Sequence, residues 1–379
     1  MDIQRFSQEK TPFYYYNLPL LRRTLTHINE CISATPHYHV HYAVKACANP
    51  TVLREIAAAG LGADCVSGGE VKAAHEHGFP AHRIVFAGVG KADWEIELAL
   101  SLGIACFNVE SMPELEVINE IATRLKTAAK VAFRINPNVD AHTHAKITTG
   151  LAENKFGLAM SDMLPAIRRC EQLSHVEYVG LHFHIGSQIT EMQPFAELGE
   201  RINELQEQLE HEGIFTRTIN VGGGLGIDYQ APDTHEIPDF SAYFSTFRQH
   251  LRLRGHQELH FELGRSVVAQ CGSLITRVLY VKQGHEKSFV IVDAGMTDLV
   301  RPAMYGSYHQ TENLTHPQGK LHTYDIVGPI CESSDVFHTD YRLPEARRGD
   351  LLAFRSAGAY GEIMASQYNC RTLPHSITD

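Results

Sequence analysis

From His37 onward the chain alternates short apolar runs with longer stretches of helical spacing. The short runs are His37–Val44, Gly62–Val66, Arg83–Ala87, Ala105–Val109, Lys130–Ile135, Tyr178–His184, Thr218–Val221 and Leu259–Glu262, and they read as strands. Between them, Thr51–Ala59, Gly69–His77, Asp93–Leu102, Pro113–Leu125, Asp162–Leu173, Pro194–Glu212 and Ala242–Leu253 carry apolar residues three and four apart, as amphipathic helices do. A helix in each gap implies parallel strands, because parallel neighbours need a crossover. Eight is the number that closes a (β/α)8 TIM-type barrel; periodicity alone leaves an open doubly wound sheet as the alternative.

After Arg265 the rhythm changes. Val267–Ala269, Leu274–Val281, Ser288–Val292, Thr323–Val327 and Leu351–Phe354 read as β segments with few helices between them, which predicts a mostly antiparallel β-sandwich or barrel domain. The Thr11–Tyr16 run near the start is also strand-like. If it joins the C-terminal sheet, that domain is discontinuous: 1–24 with 268–379, around a barrel at 25–267.

The polar residues favour the closed barrel. Lys45, Ser67, Gly88, Glu110, Arg134, Asn136, His182, His184, Gly222–Gly224 and Glu262 all fall at or just beyond the C-terminal ends of predicted strands, where barrel enzymes gather their chemistry.

Composition narrows the class. Apolar residues make up 44% and charged residues 20%, as in folded globular proteins. A net charge of -11 without a basic run gives no support for nucleic-acid or anionic-membrane binding. The opening MDIQRFSQEK lacks the apolar core of a signal peptide, and no apolar run reaches the length of a membrane span. Eight cysteines without a CxxC pair read as reduced thiols, mostly buried, in a cytoplasmic protein.

Several motifs carry candidate chemistry. HYAVKACANP places Lys45 where a buried strand ends, and a partly desolvated lysine can attack a carbonyl; taken alone, a strand-end lysine is more often simply solvated. Gly222-Gly223-Gly224 follows a strand directly and suits close approach to a phosphate, yet it is neither a Walker loop nor G-x-G-x-x-G, and a bare glycine turn stays open. His182 and His184 fall on one side of a strand, with Ser187 beyond them. They read as an HxH metal pair or as an imidazole face against a flat cofactor with a serine phosphate donor. The metal reading resembles amidohydrolase barrels, but those place HxH on the first strand and the lysine later, the inverse of this order. Glu262-Leu263-Gly264-Arg265 closes the last strand with a carboxylate and a guanidinium, as a structural pair or as partners of a pyridine nitrogen and an anion. Arg301, Tyr305, Cys331, Glu332 and Tyr360 lie in later loops.

Together, YAVKA, GLHFHIGSQI, NVGGGLGI, ELGR, DAGMTDLVRPAMYG, CESSD and GAYG resemble, in this order, the fold-type III pyridoxal-phosphate-dependent decarboxylases, over about Thr11 to Arg371. The KITTG and KFG segments match as well. The family fold is an alanine-racemase-like barrel with a β domain, and the nearest branch acts on meso-2,6-diaminopimelate, giving L-lysine and CO2. The resemblance implies that Lys45 holds pyridoxal 5'-phosphate as a Schiff base, His184 stacks on the ring and Glu262 pairs with its nitrogen. Ser187, Gly222, Gly223, Gly224, Gly264, Arg265 and Tyr360 are placed around phosphate or substrate. It also implies a homodimer with shared sites, in which Cys331 reaches across to protonate the product carbon; a thiol suits this because its ordinary pKa lies not far above neutral.

Meso-diaminopimelate keeps an amine and a carboxylate at its far end, so its recognition needs an anion and a cation away from Lys45. Arg301, Tyr305 and Arg265 are candidates for the carboxylate and Glu332 for the ammonium. Ornithine and arginine lack that carboxylate; decarboxylases acting on them or on carboxynorspermidine are the alternative, followed by a silent cofactor-binding homologue, against which Lys45 and Cys331 both stand. Two positions depart from the family pattern: Leu263 replaces a proline, and Ser334 replaces a glycine whose position is costly for serine if it needs positive φ.

Overall fold

A computed structural model describes residues 2–139 and 155–379; the KITTG segment, 146–150, lies outside them. The first strand, β1 (Phe13–Tyr16), is followed by β2 (Tyr38–Ala43), β3 (Gly62–Cys65), β4 (Ile84–Phe86), β5 (Cys106–Val109), β6 (Ala129–Arg134), β7 (Val176–His182), β8 (Thr218–Asn220) and β9 (Glu258–Leu263). Strands β2 to β9 pair in sequence order and in parallel, and β9 pairs back onto β2, so the sheet closes as the expected eight-stranded barrel. The chain divides into two compact units. One comprises Thr24–Gly226 and Asp239–Gly264 and contains the barrel; the other comprises Met1–Arg23, Ile227–Pro238 and Arg265–Asp379.

Local chemistry starts and stops the barrel helices. Asn49 caps Pro50–Ala58, with proline at the first position, where its missing N–H costs nothing. Ser67 and Ser111 cap Gly68–Glu76 and Met112–Leu125 by accepting from the amides of Glu70 and Glu114. Glu95 reaches back to the Ala92 amide and also accepts from Gly68, tying two successive helix starts together. Gly103 ends Asp93–Leu102 with φ 70, a left-handed cap that suits glycine.

Side chains alternate along each strand. On β9, Phe261 packs edge-on against Tyr243, Phe244 and Phe247 of the Phe240–His250 helix, with Tyr38 beside it. Its neighbours His260 and Glu262 therefore face the lumen. All five ring residues are buried except for a sliver of Tyr38, and truncating Phe261 to alanine costs about 3–5 kcal/mol on the scale of large core deletions. That packing fixes which face of β9 points inward, and so where Glu262 stands.

The second unit is a β domain. β1 pairs antiparallel with β10 (Gly272–Gln283) and parallel with β16 (His375–Thr378), so the N-terminal strand does join the C-terminal sheet. With β11 (Ser288–Val292), β12 (Thr311–Asn313), β13 (Leu321–Val327), β14 (Val336–Pro344) and β15 (Leu351–Phe354), the order is β12-β15-β10-β11-β13-β14. The pairings are antiparallel apart from β11 with β13 and β1 with β16. Phe6, Phe13, Tyr15, Ile275, Leu314, Leu351 and Ala353 form its core.

Two local expectations change. Val267–Ala269 is not a strand: Arg265–Val268 forms one helical turn, closed by the Ala269 amide on the Arg265 carbonyl. Strand β7 stops at His182, so His184 lies just past its end rather than on it. Ser334 is not among the residues with positive φ, so the cost considered for serine there does not arise.

Candidate active site

Strand β2 ends at Ala43, and a single 3-10 turn over Val44–Ala46 brings Lys45 out at the C-terminal mouth of the barrel. Tyr42, Ala43 and Val44 are buried, and the Lys45 side chain keeps 39% of its surface. Its Nζ lies 3.6 Å from Asp64 of β3, whose two oxygens are buried without a hydrogen-bond partner among the described residues. Burial, and then the negative charge of Glu262, push the Asp64 carboxyl up from its usual range, against the pull of Lys45.

Glu262 has the opposite fate. Oε1 accepts from Asn108 Nδ2 at 3.0 Å and from Asn220 Nδ2 at 2.8 Å, and Oε2 pairs with His182 Nε2 at 2.9 Å. Burial alone raises a carboxyl; here it is outweighed by His182 and by the charge of Lys45, which hold Glu262 well below the usual range. One carboxyl is thus pulled toward its ionised form and another pushed toward its protonated form within one mouth, the separation that active sites use.

His184 is half-buried. Its Nδ1 accepts from the Gly223 amide at 3.3 Å, which leaves the ring proton on Nε2. Burial and the charges of Arg134 and Lys45 hold it far below the ordinary histidine pKa, so the ring is neutral. The glycine run has a backbone reason. A Cβ on Gly223 would stand 1.8 Å from the Glu262 carbonyl oxygen, and one on Gly222 would stand 2.3 Å from that of Phe183. Gly222 and Gly224 also have φ of 70 and 108. The Ile189 amide bonds the Gly224 carbonyl and the Gly226 amide bonds that of Ile189, so the loop carrying half-buried Ser187 and the glycine loop are held together.

The other strand-end polar residues brace the mouth. Glu110 accepts from the amides of Gly88 and Gly157 and from Arg134 Nη1, which lies 3.2 Å from each carboxylate oxygen. Arg134 lies over the Phe156 ring, and Asn136 holds the Phe156 carbonyl. Ser67 is a helix cap. Gly264 packs where a Cβ would meet Ala43 and Ala46 at 3.1 Å.

In the second unit, Arg265 Nη1 and Arg301 Nη1 both donate to the Tyr229 hydroxyl, at 2.7 and 2.8 Å. Arg265 lies over the Tyr360 ring, 4.9 Å from its centroid. Arg301 also meets His309 Nε2 at 3.2 Å and donates to Ser307 Oγ at 3.2 Å. It is buried, and all its hydrogen-bond partners among the described residues are neutral, so its charge remains available to an anion. Arg301 and Tyr305 are the ends of one short helix, four residues apart and so on one side of it. Cys331 and Glu332 are exposed: the Cys331 amide donates to Asn369 Oδ1 at 3.3 Å, and Glu332 accepts from Tyr368 at 2.7 Å.

Sequence reasoning missed Asp64, Asn108, Asn220 and Tyr229. Three of these are polar residues inside otherwise apolar strands, in GADC, CFNV and TIN, and a buried polar residue at a strand end was the available signal. The HxH pair divides, His182 facing Glu262 and His184 facing the glycine loop.

A barrel-mouth lysine, an ionised buried carboxylate and a neutral imidazole make a site of the pyridoxal-dependent kind. The donor set fits that cofactor: an amine for its aldehyde, a carboxylate for its ring N–H, and a glycine loop too tight for side chains. Comparison with known proteins agrees. The family model described as "Pyridoxal-dependent decarboxylase, pyridoxal binding domain" matches residues 21–269, and the chain belongs to that family. Within it, the chain belongs with the diaminopimelate decarboxylases. It is 61% identical to the one from Bacteroides thetaiotaomicron over 99% of this chain and 97% of that one. It is 44% identical to the one from Neisseria meningitidis serogroup A, over 95% and 87%. The crystal structure of the Helicobacter pylori diaminopimelate decarboxylase complexed with L-lysine superposes with a TM-score of 0.93 at 40% identity, covering 100% of this chain and 93% of that one.

Proposed function

We propose that the chain removes one carboxylate from meso-2,6-diaminopimelate, releasing L-lysine and CO2, with pyridoxal 5'-phosphate held on Lys45. The near-full-length likeness to diaminopimelate decarboxylases carries this reading. Buried Arg301, whose partners among the described residues are all neutral, supports the substrate, since diaminopimelate has a second carboxylate and ornithine and arginine do not.

When bound, pyridoxal phosphate supplies an electron sink for the charge left on carbon as CO2 departs. Lys45 would hold it through the side-chain amine, with the Asp64 carboxyl 3.6 Å from that amine to take up or return its proton. Glu262 would accept from the ring N–H and favour its protonated form; His182, Asn108 and Asn220 hold the carboxylate in place and ionised. Neutral His184 would offer its face to the ring. Ser187, Gly222, Gly223, Gly224 and Gly264 would serve the phosphate, as would Arg265 and Tyr360. Arg301 and Tyr305 would take the distal carboxylate, Glu332 the distal ammonium, and the Cys331 thiol would return a proton to the product carbon.

We read the working form as a homodimer with shared sites. The exposure of Cys331 and Glu332 on their own chain supports this, since a neighbour can use them. All eight cysteines are free thiols, which supports a reducing, cytoplasmic setting. Among the described residues no helix is long and apolar enough to cross a membrane. The test is CO2 release by the purified protein with added pyridoxal phosphate. Release from meso-diaminopimelate with lysine formed supports the reading; release only from ornithine, arginine or carboxynorspermidine overturns the substrate.

A further inference from the structure

The barrel lumen has a second cluster of ligating groups, at the end opposite Lys45. His39 stands near the start of β2, and Glu258 and His260 near the start of β9; His39 and His260 are register partners. These are the first and last strands of the barrel, whose pairing closes it. One ligand atom from each of the three residues lies within 4.8 Å of the other two. His260 Nε2 is 3.5 Å from Glu258 Oε2, and His39 Nε2 is 3.9 Å from Glu258 Oε1.

The hydrogen bonds behind this cluster fix the tautomer of His260. His41 Nδ1 lies 3.2 Å from the Arg83 carbonyl oxygen, which only accepts, so the His41 proton is on Nδ1. His41 Nε2 then accepts from His260 Nδ1, 2.8 Å away. That donation leaves the lone pair of a neutral His260 on Nε2, a buried atom 3.5 Å from Glu258 Oε2 and without a hydrogen-bond partner among the described residues. Gly62 makes the arrangement possible: a Cβ there would stand 2.4 Å from His41 Nδ1 and 2.5 Å from the Arg83 carbonyl oxygen. An imidazole whose far nitrogen donates to a fixed acceptor is the usual support for a metal-binding histidine. The nearest arginines are engaged elsewhere, Arg217 with Glu177 at 3.1 Å and Arg83 with the Gly60 carbonyl at 2.5 Å.

We propose that His39, Glu258 and His260 bind a borderline divalent cation of the zinc type, which staples the β2–β9 seam. Two imidazoles and a carboxylate are a zinc ligand set, with water in the fourth position. Zinc holds such ligands at about 2.0–2.2 Å, which places them roughly 3.3–3.6 Å apart. One edge of the triangle already has that length. The others close by rotation of His39 and Glu258, whose side chains keep 40% and 52% of their surface. The ion lies at the N-terminal end of the strands, away from the reaction, so its effect is on stability.

The test is equilibrium dialysis of the pyridoxal-phosphate-loaded protein against zinc, with thermal melts in its presence and absence. Wild type is expected to retain one zinc per chain and to melt at higher temperature with it. His39→Ala and Glu258→Gln are expected to bind zinc at least tenfold more weakly and to lose the thermal shift, with cofactor absorbance and turnover unchanged. Both positions are half-exposed, and the cofactor absorbance reports that each variant is folded. No zinc on wild type, or zinc and the thermal shift retained in both variants, overturns the site.

Discussion

His182 Nε2 stands 2.9 Å from Glu262 Oε2 inside the barrel mouth, while Asn108 and Asn220 occupy the other carboxylate oxygen. Three donors from three strands thus converge on one buried carboxylate. Geometry of this kind preorganises a charge without help from solvent. Glu262→Gln keeps the shape and removes the charge. Turnover is expected to fall roughly 100-fold or more while the cofactor still binds. Steady-state kinetics beside cofactor absorbance checks this, and unchanged turnover would contradict the role of Glu262.

Arg301 tests the substrate argument. Arg301→Lys keeps the charge but loses the planar fork that matches a carboxylate. KM for meso-diaminopimelate is expected to rise roughly tenfold or more, with kcat moving less. A KM equal to that of wild type would remove Arg301 from the substrate site.

His309 predicts an acid-side loss of stability. Burial and the neighbouring charge of Arg301 push it down to about 3, against an ordinary value of 6.5. Between those values the unfolded chain binds a proton that the folded chain refuses, so stability is present above about 6.5 and drains away as the pH falls toward 3. Denaturant midpoints at pH 7 and pH 5 measure the slope. His309→Gln is expected to shrink the difference between them; an equal difference in the variant contradicts the assignment.

Much of this was legible in the chain. Eight strands and their helices could be placed because buried parallel strands and amphipathic helices differ in period, and polar residues at strand ends marked the mouth. The β domain was harder. Strands β12 and β16 have three and four residues, and β14 mixes exposed and buried positions irregularly, so no clean alternation announces them. The supports of the site were less visible still. Asn108 and Asn220 are ordinary in sequence and gain meaning only when the barrel brings both to Glu262. The same holds for Tyr229, set in a loop and bridging two arginines that lie 36 residues apart.

The proposed sharing of sites across a dimer has its own test. Lys45→Ala and Cys331→Ala each damage a site, but if Cys331 serves the neighbouring site, a mixed dimer carries one site intact and one doubly damaged. Equal mixing gives half mixed dimers and restores about a quarter of wild-type activity. Activity no higher than the sum of the separate variants contradicts a shared site.

The central claim is that Lys45 is the anchor of the cofactor, and the absorption spectrum of Lys45→Ala tests it most directly. The purified wild-type protein with added pyridoxal phosphate is expected to show a visible Schiff-base band that persists through gel filtration. In Lys45→Ala the band is lost together with CO2 release from meso-diaminopimelate. A variant that keeps both the band and the activity contradicts the claim.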